Sequence, residues 1–536
     1  MTAAARLKAI DIPLERDEGE YAYGGQLLLQ GVPPYAAAYN MKFPGIYAAY
    51  AVILAVFGES TRGIHLGLLV VNAASILLVY VLGAWLSGRL AGVIAAASYA
   101  LLSASPSVLG LAGHATHFVV LTCLAGVWLL IRARDRDGLG TLVAGGFALG
   151  LALLMKQHAV FFALFGLAHV GWSSRAGRGL PWSRVVSRAG AVALGILLPV
   201  AGTLVYLGAA GVHDRFWFWC VEYARVYAGQ VSPSEGWASF LHHFPRAVGP
   251  ALPLWLLALA GLIAMARRGR RDRALWITGF TLASFAATIP GFWFREHYFI
   301  VLLPAVAMLA GGYLVGMTEV LSRDRLPPAW RAALCALVFL LASAPAAGSL
   351  RALLAKSPEE MSRALYGSNP FPESVSIARY IASNSGPDAR VAVLGSEPQI
   401  YFHSGRRSAT GYIYTYGLME RVPGPRDPAT GKPTWLPQPY ARRMHEEMIR
   451  EIEAAEPEYI VFVQVYTSWL ANPESDQHIM EWSRGYVAER YDLVGTADIL
   501  ENDTEYRWGH EAASSEPRSE ERMYVFRLKR SILAAP

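Results

Sequence analysis

Charged residues and cysteines are scarce in this sequence. Of its 536 residues, 16% are charged and 54% are hydrophobic, whereas soluble globular proteins carry roughly 25% charged residues. The shortage of charge lies almost entirely before residue 349, and the stretch after it has an ordinary soluble composition. Composition therefore predicts a membrane domain over 1–349 followed by a soluble domain over 350–536.

Several signatures of catalysis and of metal binding are also absent from the sequence. The cysteines Cys123, Cys220 and Cys335 lie far apart, in or beside apolar segments, and no CxxC or Cys/His metal spacing occurs. The sequence contains no Walker phosphate-binding loop, no GxSxG nucleophile elbow and no HExxH helix. It therefore gives no support for nucleotide hydrolysis, serine hydrolysis or zincin chemistry.

Long apolar runs are abundant. A transmembrane helix needs about 20 apolar residues, and we find candidate spans at 62–84, 88–106, 115–132, 139–155, 157–173, 186–208, 248–266, 274–291, 297–320 and 330–348. These runs predict a polytopic α-helical membrane domain with about ten spans. The shorter apolar run 43–58 predicts an interfacial helix that lies on the membrane surface.

Basic residues mark one side of the predicted spans. Alternate loops are rich in arginine, as in the loop that holds Arg175, Arg178, Arg184 and Arg188. By the positive-inside rule these loops face the cytoplasm, which puts 1–61, 209–247, 291–297 and the domain after 349 on the extracytoplasmic side. The net charge of +6 then reflects topology, and no nucleic-acid partner is expected.

The N-terminus is predicted to start outside, although residues 1–20 contain no apolar signal-peptide core. Either a short tail is translocated, or a first span precedes the sequence. We favour the second explanation.

Helix and strand patterns alternate in the region after 350. Strands are predicted at 389–395, 458–465 and 523–528, and helices at 374–383 and 440–455. This alternation predicts a small α/β domain. The Pro- and Gly-rich run 422–439 predicts a long loop, and the wider segment 405–440 could act as a lid or an acceptor-docking surface.

The segment 15–61, the predicted first outer loop, holds the strongest chemical candidates. Asp17, Glu18 and Glu20 lie within four residues of one another. A carboxylate placed here could take a proton from an attacking hydroxyl. The alternative is that these residues only start a helix, with Asp17 as its N-cap.

Basic residues at three other points could bind a phosphate. Lys42 could hold one at the level of the lipid headgroups, or it could be a snorkelling lysine. Arg295 begins a late span, where charges are costly and often functional, and it could bind phosphate bidentately or pair with Glu296. Lys156 lies between two predicted spans and could bind substrate or anchor the helix.

Two further patterns have more than one interpretation. His114 and His117 have a spacing that can bind a metal, but no acidic third ligand is near them in sequence. We therefore assign no metal ligand and leave the cofactor open, a divalent metal being one option. Glu222 and Tyr223 belong to an aromatic stretch that could stack on a sugar, although an aromatic belt at the membrane surface is the commoner explanation.

The order of these features resembles the bacterial GT-C-fold membrane glycosyltransferases of the protein-mannosyltransferase and aminoarabinose-transferase type (glycosyltransferase family 39-like). The resemblance rests on the pair Asp17–Glu18 followed by Tyr21, on Lys42 with Pro44, on Arg295, His297, Tyr298 and Pro304, and on the segment 395–416.

The resemblance implies an inverting transfer of a glycosyl group from a polyprenyl-phosphate-linked sugar to an extracytoplasmic acceptor hydroxyl, on a glycan, lipid or protein. The enzyme would lie in a bacterial-type cytoplasmic membrane, with its site and C-terminal domain outside. The implied roles are catalysis for Asp17 and Glu18, phosphate binding for Lys42, Arg295 and His297, and substrate binding for Glu20, Tyr21, Lys156 and Tyr298.

Two other functional classes remain as alternatives. A transporter or flippase of lipid-linked glycans predicts internal repeats and charges at mid-membrane, and the sequence has neither. A non-catalytic envelope assembly protein would leave Asp17, Lys42 and Arg295 without a shared role. That alternative gains weight if the three residues lie far apart in the fold.

Overall fold

The computed structural model describes residues 2–134, 138–268, 271–322, 327–426, 433–501 and 503–529. The N-terminal part is helical and consists of α1 (Thr2–Lys8), α2 (Arg16–Leu29), α3 (Pro44–Phe57), α4 (Thr61–Ser87), α5 (Arg89–Leu102), α6 (Ala115–Arg132), α7 (Leu139–Met155), α8 (Val160–Trp172), α9 (Trp182–Ala209), α10 (His213–Trp217), α11 (Ala224–Ala228), α12 (Pro233–Val248), α13 (Leu252–Arg268), α14 (Arg271–Ala286), α15 (Leu303–Ser322) and α16 (Pro328–Leu354).

Every predicted span coincides with a helix. Within the described ranges, six helical segments are long and apolar enough to cross a bilayer: Thr61–Ser87, Ala115–Arg132, Trp182–Ala209, Pro233–Arg267, Glu296–Val320 and Pro328–Leu354. The remaining predicted spans correspond to the shorter helices α5, α7, α8 and α14. Because a helix satisfies its own backbone hydrogen bonds, it is the form that such apolar runs take in lipid. The predicted polytopic helical domain is confirmed.

Small residues bring the membrane helices into close contact. A Cβ atom on Gly195 of α9 would lie 2.1 Å from the carbonyl oxygen of Val143 in α7, so the two backbones can approach only because this position has no side chain. Close packing through glycine is typical of helices in lipid, where burying apolar surface gives little driving force.

The C-terminal part combines helices with a mixed sheet. Its elements are α17 (Pro358–Tyr366), α18 (Phe371–Ser383), β1 (Arg390–Leu394), α19 (Gln399–Ser404), β2 (Arg407–Ser408), α20 (Tyr416–Met419), β3 (Arg421–Arg426), β4 (Pro433–Pro437), α21 (Ala441–Ala455), β5 (Tyr459–Gln464), α22 (Tyr466–Trp469), α23 (His478–Arg490), β6 (Tyr491–Ile499), β7 (Thr504–Trp508), α24 (His510–Ser514) and β8 (Arg522–Leu528). The six-stranded sheet has the order β2-β1-β5-β8-β6-β7.

Strands β1, β2 and β5 run parallel, whereas β8 pairs antiparallel with both β5 and β6. The strands predicted at 389–395, 458–465 and 523–528 are β1, β5 and β8, and the predicted α/β domain is confirmed. The membrane helix α16 continues to Leu354, past the predicted boundary at 349.

The prediction of a long loop over 422–439 is wrong. Strands β3 and β4 form an antiparallel hairpin there, and residues 427–432, which also belong to the wider segment 405–440, lie outside the described residues. Proline and glycine obscured the hairpin in the sequence, because they are tolerated in a two-stranded edge that lacks further partners.

Candidate active site

Helix α2 begins the site, and Glu15 sets its first turn. The Glu15 carboxylate accepts a hydrogen bond from the backbone N–H of Glu18 at 2.9 Å, and the Glu18 carboxylate accepts one from the backbone N–H of Glu15 at 3.3 Å. This capping box satisfies the free N–H groups of the helix start. The expectation that Asp17 could be the N-cap is therefore wrong, and its carboxylate is available for other contacts.

A cavity of about 270 Å³ lies between the helical part and the α/β domain. Its lining includes six of the predicted site residues, namely Asp17, Lys42, Lys156, Arg295, His297 and Tyr298. Asp17 and Tyr298, the first and last of these residues in the sequence, are 281 positions apart (298 − 17). The fold thus brings Asp17, Lys42 and Arg295 to one place.

Asp17 forms an ion pair with Lys42 inside this cavity, at 3.1 Å between Oδ1 and Nζ. Tyr414 of the α/β domain donates from its hydroxyl to the backbone oxygen of Arg16 at 3.0 Å and lies 3.4 Å from Oδ1 of Asp17. Burial by itself would raise the pKa of Asp17, but the positive charges of Lys42 and its neighbours outweigh burial and lower that pKa below its usual range. Asp17 is therefore ionised at neutral pH.

Two further cations face the same cavity. The Nζ atom of Lys156 lies 4.0 Å from the ring centroid of Tyr298, and burial together with the charge of Lys42 lowers the pKa of Lys156 to about 7. Arg295 is half-buried. Glu296 does not form the surface pair with Arg295 that the sequence left open, because it contacts His243 at 2.8 Å instead.

Glu18, Glu20 and Tyr21 lie behind the cavity and are buried. Oε1 of Glu18 accepts a hydrogen bond from the N–H of Gly113 at 2.5 Å. Glu20 accepts one from the Tyr47 hydroxyl at 2.5 Å, and burial raises the pKa of Glu20 to about 7. None of the three lines the cavity within the described part of the chain, so their roles in catalysis and substrate binding stay predictions.

Asp17, His114 and His297 offer atoms that could hold a metal ion, all within 4.8 Å of one another. One carboxylate and two imidazoles are a ligand set that suits zinc, which as a Lewis acid could polarise a bound oxygen. The rings of His114 and His297 stack at 4.2 Å, whereas His117 is not in this group. Sequence analysis could not pair the histidines with an acidic ligand, because Asp17 lies far from them in sequence, in α2.

The α/β domain fixes the start of α2. Arg16 donates from Nη2 to Oε1 of Glu397 at 2.7 Å and from Nε to the backbone oxygen of Ser396 at 2.5 Å. Oε2 of Glu397 accepts a hydrogen bond from Ser468 at 2.5 Å. The segment 395–416, which the sequence resemblance singled out, thus holds the helix that carries Asp17.

The α/β domain lines the cavity with Tyr414, Tyr416, Gly417 and Glu420. All four lie in the segment 405–440, which the sequence marked as a possible lid or docking surface, but sequence reasoning assigned none of them individually to the site. It also left the aromatic stretch unassigned. Trp219, Tyr223 and Tyr227 line the cavity at a spacing of four residues, whereas Glu222 is exposed. That helical spacing was the available signal. No comparable pattern marks Glu420, because only the tertiary fold places it here.

Comparison with known proteins reveals sequence relatives. Residues 42–202 match the family profile described as dolichyl-phosphate-mannose-protein mannosyltransferase. The chain is 30% identical over 287 residues to an undecaprenyl phosphate-alpha-4-amino-4-deoxy-L-arabinose arabinosyl transferase of Pseudomonas aeruginosa, with 49% of each chain covered. It is 28% identical to the enzyme of that name from Pseudomonas paraeruginosa, covering 47% of this chain and 46% of the relative. The chain thus spans about half the length of the curated relatives that it matches.

Solved structures extend the likeness to the whole fold. ArnT from Cupriavidus metallidurans bound to undecaprenyl phosphate superposes with a TM-score of 0.56 at 17% identity, covering 100% of this chain and 98% of that one. The oligosaccharyltransferase of Archaeoglobus fulgidus in the apo form gives a TM-score of 0.51 at 13% identity, covering 96% and 74%. The chain is therefore an integral membrane protein with the GT-C fold, similar to the aminoarabinose transferases.

Proposed function

We propose that this protein transfers a glycosyl group from a polyprenyl-phosphate-linked sugar to an acceptor hydroxyl. The observation that carries the proposal is the cavity in which Asp17 faces three cations, Lys42, Lys156 and Arg295. A proton acceptor beside a cluster of cations is what transfer from an anionic lipid phosphate requires. The partial likeness to arabinosyl transferases supports the same reaction class.

The proposed reaction is a single displacement at the anomeric carbon. The acceptor oxygen forms the new glycosidic bond while the bond to the phosphate oxygen breaks, and the electron pair of that bond stays on the lipid phosphate. Asp17 takes the proton of the acceptor hydroxyl. Lys42 and Arg295 stabilise the negative charge that grows on the departing phosphate.

The Asp17–Lys42 ion pair fits this order of events. While the pair is intact, the charge of Lys42 lowers the pKa of Asp17 and weakens it as a base. A donor phosphate that draws Lys42 towards itself weakens the pair, so the pKa of Asp17 rises and the carboxylate becomes a better proton acceptor. Donor binding would then prepare the base for the acceptor.

We further propose that the cavity and the α/β domain lie on the extracytoplasmic side. The α/β domain contacts the cavity directly, so both face the same aqueous side. Helix α9 begins at Trp182, so Arg175 and Arg178 precede it and Arg184 and Arg188 lie in its first turns. By the positive-inside rule this arginine-rich end would lie at the opposite, cytoplasmic side.

The test is sugar transfer by the purified protein in detergent, with a panel of polyprenyl-phosphate sugars, for wild type, Asp17→Asn and the control Asp11→Asn. Asp11 is also a paired aspartate, bonded to Arg62 at 2.6 Å, but it is not in the cavity lining. We expect Asp17→Asn to lower turnover by about 10²–10⁴-fold, the usual contribution of a general base, while donor binding persists and Asp11→Asn stays active.

Unchanged turnover in Asp17→Asn would remove Asp17 from the chemistry. A wild-type protein that transfers no sugar from any donor would overturn the proposed reaction and favour the flippase or the non-catalytic assembly protein. The non-catalytic alternative would gain weight if Asp17, Lys42 and Arg295 lay far apart, and their common cavity argues against it.

A further inference from the structure

Glu420 is a carboxylate that the proposed chemistry does not use, although it lines the same cavity. It belongs to the α/β domain, directly after α20. Its Oε2 atom accepts hydrogen bonds from the Tyr223 hydroxyl at 2.5 Å and from Nε2 of Gln230 at 2.6 Å. Both partners are buried, so the carboxylate is held in a fixed position.

The other carboxylate oxygen of Glu420, Oε1, can accept a hydrogen bond from a ligand. The bonds from Tyr223 and Gln230 both go to Oε2. Glu420 is half-buried at the cavity wall, and among the described residues its Oε1 is not one of the buried unpaired oxygens, so Oε1 stays open to the cavity. A carboxylate that is partly removed from water loses part of its hydration, which costs free energy unless its oxygens are paired. Burial accordingly raises the pKa of Glu420. A ligand that donates a hydrogen bond to Oε1 would relieve this cost.

Charge decides which part of the donor can lie against Glu420. A phosphate there would be repelled by the carboxylate, and Arg295, which interacts electrostatically with both Asp17 and Glu420, offers it a better position. The part of the donor beside Glu420 is therefore one that donates hydrogen bonds.

Aromatic side chains next to Glu420 further limit the chemistry of the ligand. Trp219, Tyr223 and Tyr227 form one wall of the cavity, and the ring of Trp219 lies 5.0 Å from that of Tyr223. Flat apolar faces beside a fixed polar acceptor suit a ring with apolar C–H faces and a polar edge. A sugar has this chemistry.

We propose that Glu420, held by Tyr223 and Gln230, binds the glycosyl unit of the lipid-linked donor by accepting a hydrogen bond from a hydroxyl or ammonium group on its ring. This inference rests on the proposed function and adds a specificity-determining residue from the α/β domain. It also gives that domain a direct part in donor recognition.

The test compares the binding of two lipids, polyprenyl phosphate with and without its sugar, to wild type, Glu420→Gln and the control Glu451→Gln. Glu451 is a carboxylate of the same domain that accepts bonds from Tyr39, Thr410 and Gly411 and is not in the cavity lining. We expect Glu420→Gln to lower the affinity for the glycosylated lipid by about 10- to 100-fold, which is the factor for a lost hydrogen bond to a charged group. Its affinity for the sugar-free lipid should stay at the wild-type value, which also shows that the variant is folded.

Lipids that carry an amino sugar or a neutral sugar distinguish whether an ammonium or a hydroxyl group donates the hydrogen bond. If an ammonium group binds, Glu420→Gln loses affinity only for amino-sugar donors, and if a hydroxyl binds, it loses affinity for neutral sugars as well. The inference would be overturned if Glu420→Gln lost affinity equally for both lipids, lost affinity for neither, or changed only the KM of the acceptor. The proposed function would remain in each of these cases. A wild-type protein that binds neither lipid would overturn both.

Discussion

Single residues give the cavity an excess of positive charge. Lys42, Lys156 and Arg295 face Asp17 and Glu420, and Lys42 is already paired with Asp17. Buried charges are costly without partners of opposite sign. With three cations facing two carboxylates, the cavity suits an anion, and the lowered pKa of Lys156 makes this property depend on pH.

The affinity for polyprenyl phosphate should fall as pH rises above 7. The pKa of Lys156 is lowered to about 7, so its positive charge is present below that pH and is lost as pH rises through it. If the charged lysine is the form that binds phosphate, Kd rises by up to about tenfold per pH unit above 7. Binding measured from pH 7 to 9 checks this, because the phosphate monoester, with a second pKa of about 6, no longer changes its charge there.

Lys156→Arg is the matched variant for this experiment, because arginine stays charged throughout that range. Its Kd should stay flat from pH 7 to 9. A slope as steep as that of the wild type would show that another group titrates.

Substitution of Glu18 should act on stability rather than on chemistry. Oε1 of Glu18 accepts the Gly113 N–H and lies 3.3 Å from Nε2 of His65, and the side chain does not reach the cavity. Glu18→Gln keeps the shape but loses the ionic part of these contacts. We expect the free energy of unfolding to drop by about 1–3 kcal/mol, seen as a lower unfolding temperature in detergent. A fall in kcat without a change in unfolding temperature would instead support the catalytic role that the sequence resemblance implies.

Helix α2 depends on contacts at two levels. Its own sequence supplies the capping box of Glu15 and Glu18, whereas Arg16 and Gly19 press it against the α/β domain. A carboxylate that acts as a base must lie within hydrogen-bond reach of the acceptor. The position of this one helix therefore decides whether Asp17 can act.

A methyl group at Gly19 should displace α2. A Cβ atom there would lie 2.7 Å from the backbone nitrogen of Gln399, which is closer than atoms can pack. We expect Gly19→Ala to lower kcat by up to about 10²-fold, the effect of roughly 1 Å of misplacement. Steady-state transfer assays with saturating donor measure it.

Gly485→Ala is the control, because Gly485 lies in helix α23 with open space around its Cβ position. There the same change should leave kcat intact and stabilise the helix by up to about 1 kcal/mol. Full activity in Gly19→Ala would show that the contact between α2 and Gln399 does not govern the site.

Among the elements, those made largely of apolar residues could be predicted from the sequence. The long apolar runs predicted the membrane helices, and shorter ones predicted the strands β1, β5 and β8. Strands β6 and β7 escaped notice because polar residues interrupt them, as Asp492 and Thr496 do in β6. Their pairing with β8 is a tertiary effect that outweighs local preference.

On the scale of the whole molecule, the sequence predicted individual site residues only in the membrane domain, and marked the contribution of the α/β domain only as the segments 395–416 and 405–440. Asp17, Lys42 and Arg295 were recognisable because charged residues beside apolar runs are unusual. Glu420 carries no such mark, since polar residues are ordinary in a soluble domain, and Tyr416 was marked only as part of the segment 395–416. Only the packing of the α/β domain against α2 places them in the cavity.

The proposed orientation predicts which surfaces a membrane-impermeant thiol reagent can reach in intact cells. The native cysteines are buried and should give little background. Ala488 is exposed in the α/β domain, and Ser183 is exposed in the first turn of α9, at its arginine-rich end. Ala488→Cys should be labelled in intact cells, and Ser183→Cys only after the membrane is permeabilised. The reverse pattern would place the cavity on the cytoplasmic side, where the acceptor would also have to be. Because the cavity and the α/β domain share one face, this single pair of variants assigns the side for both.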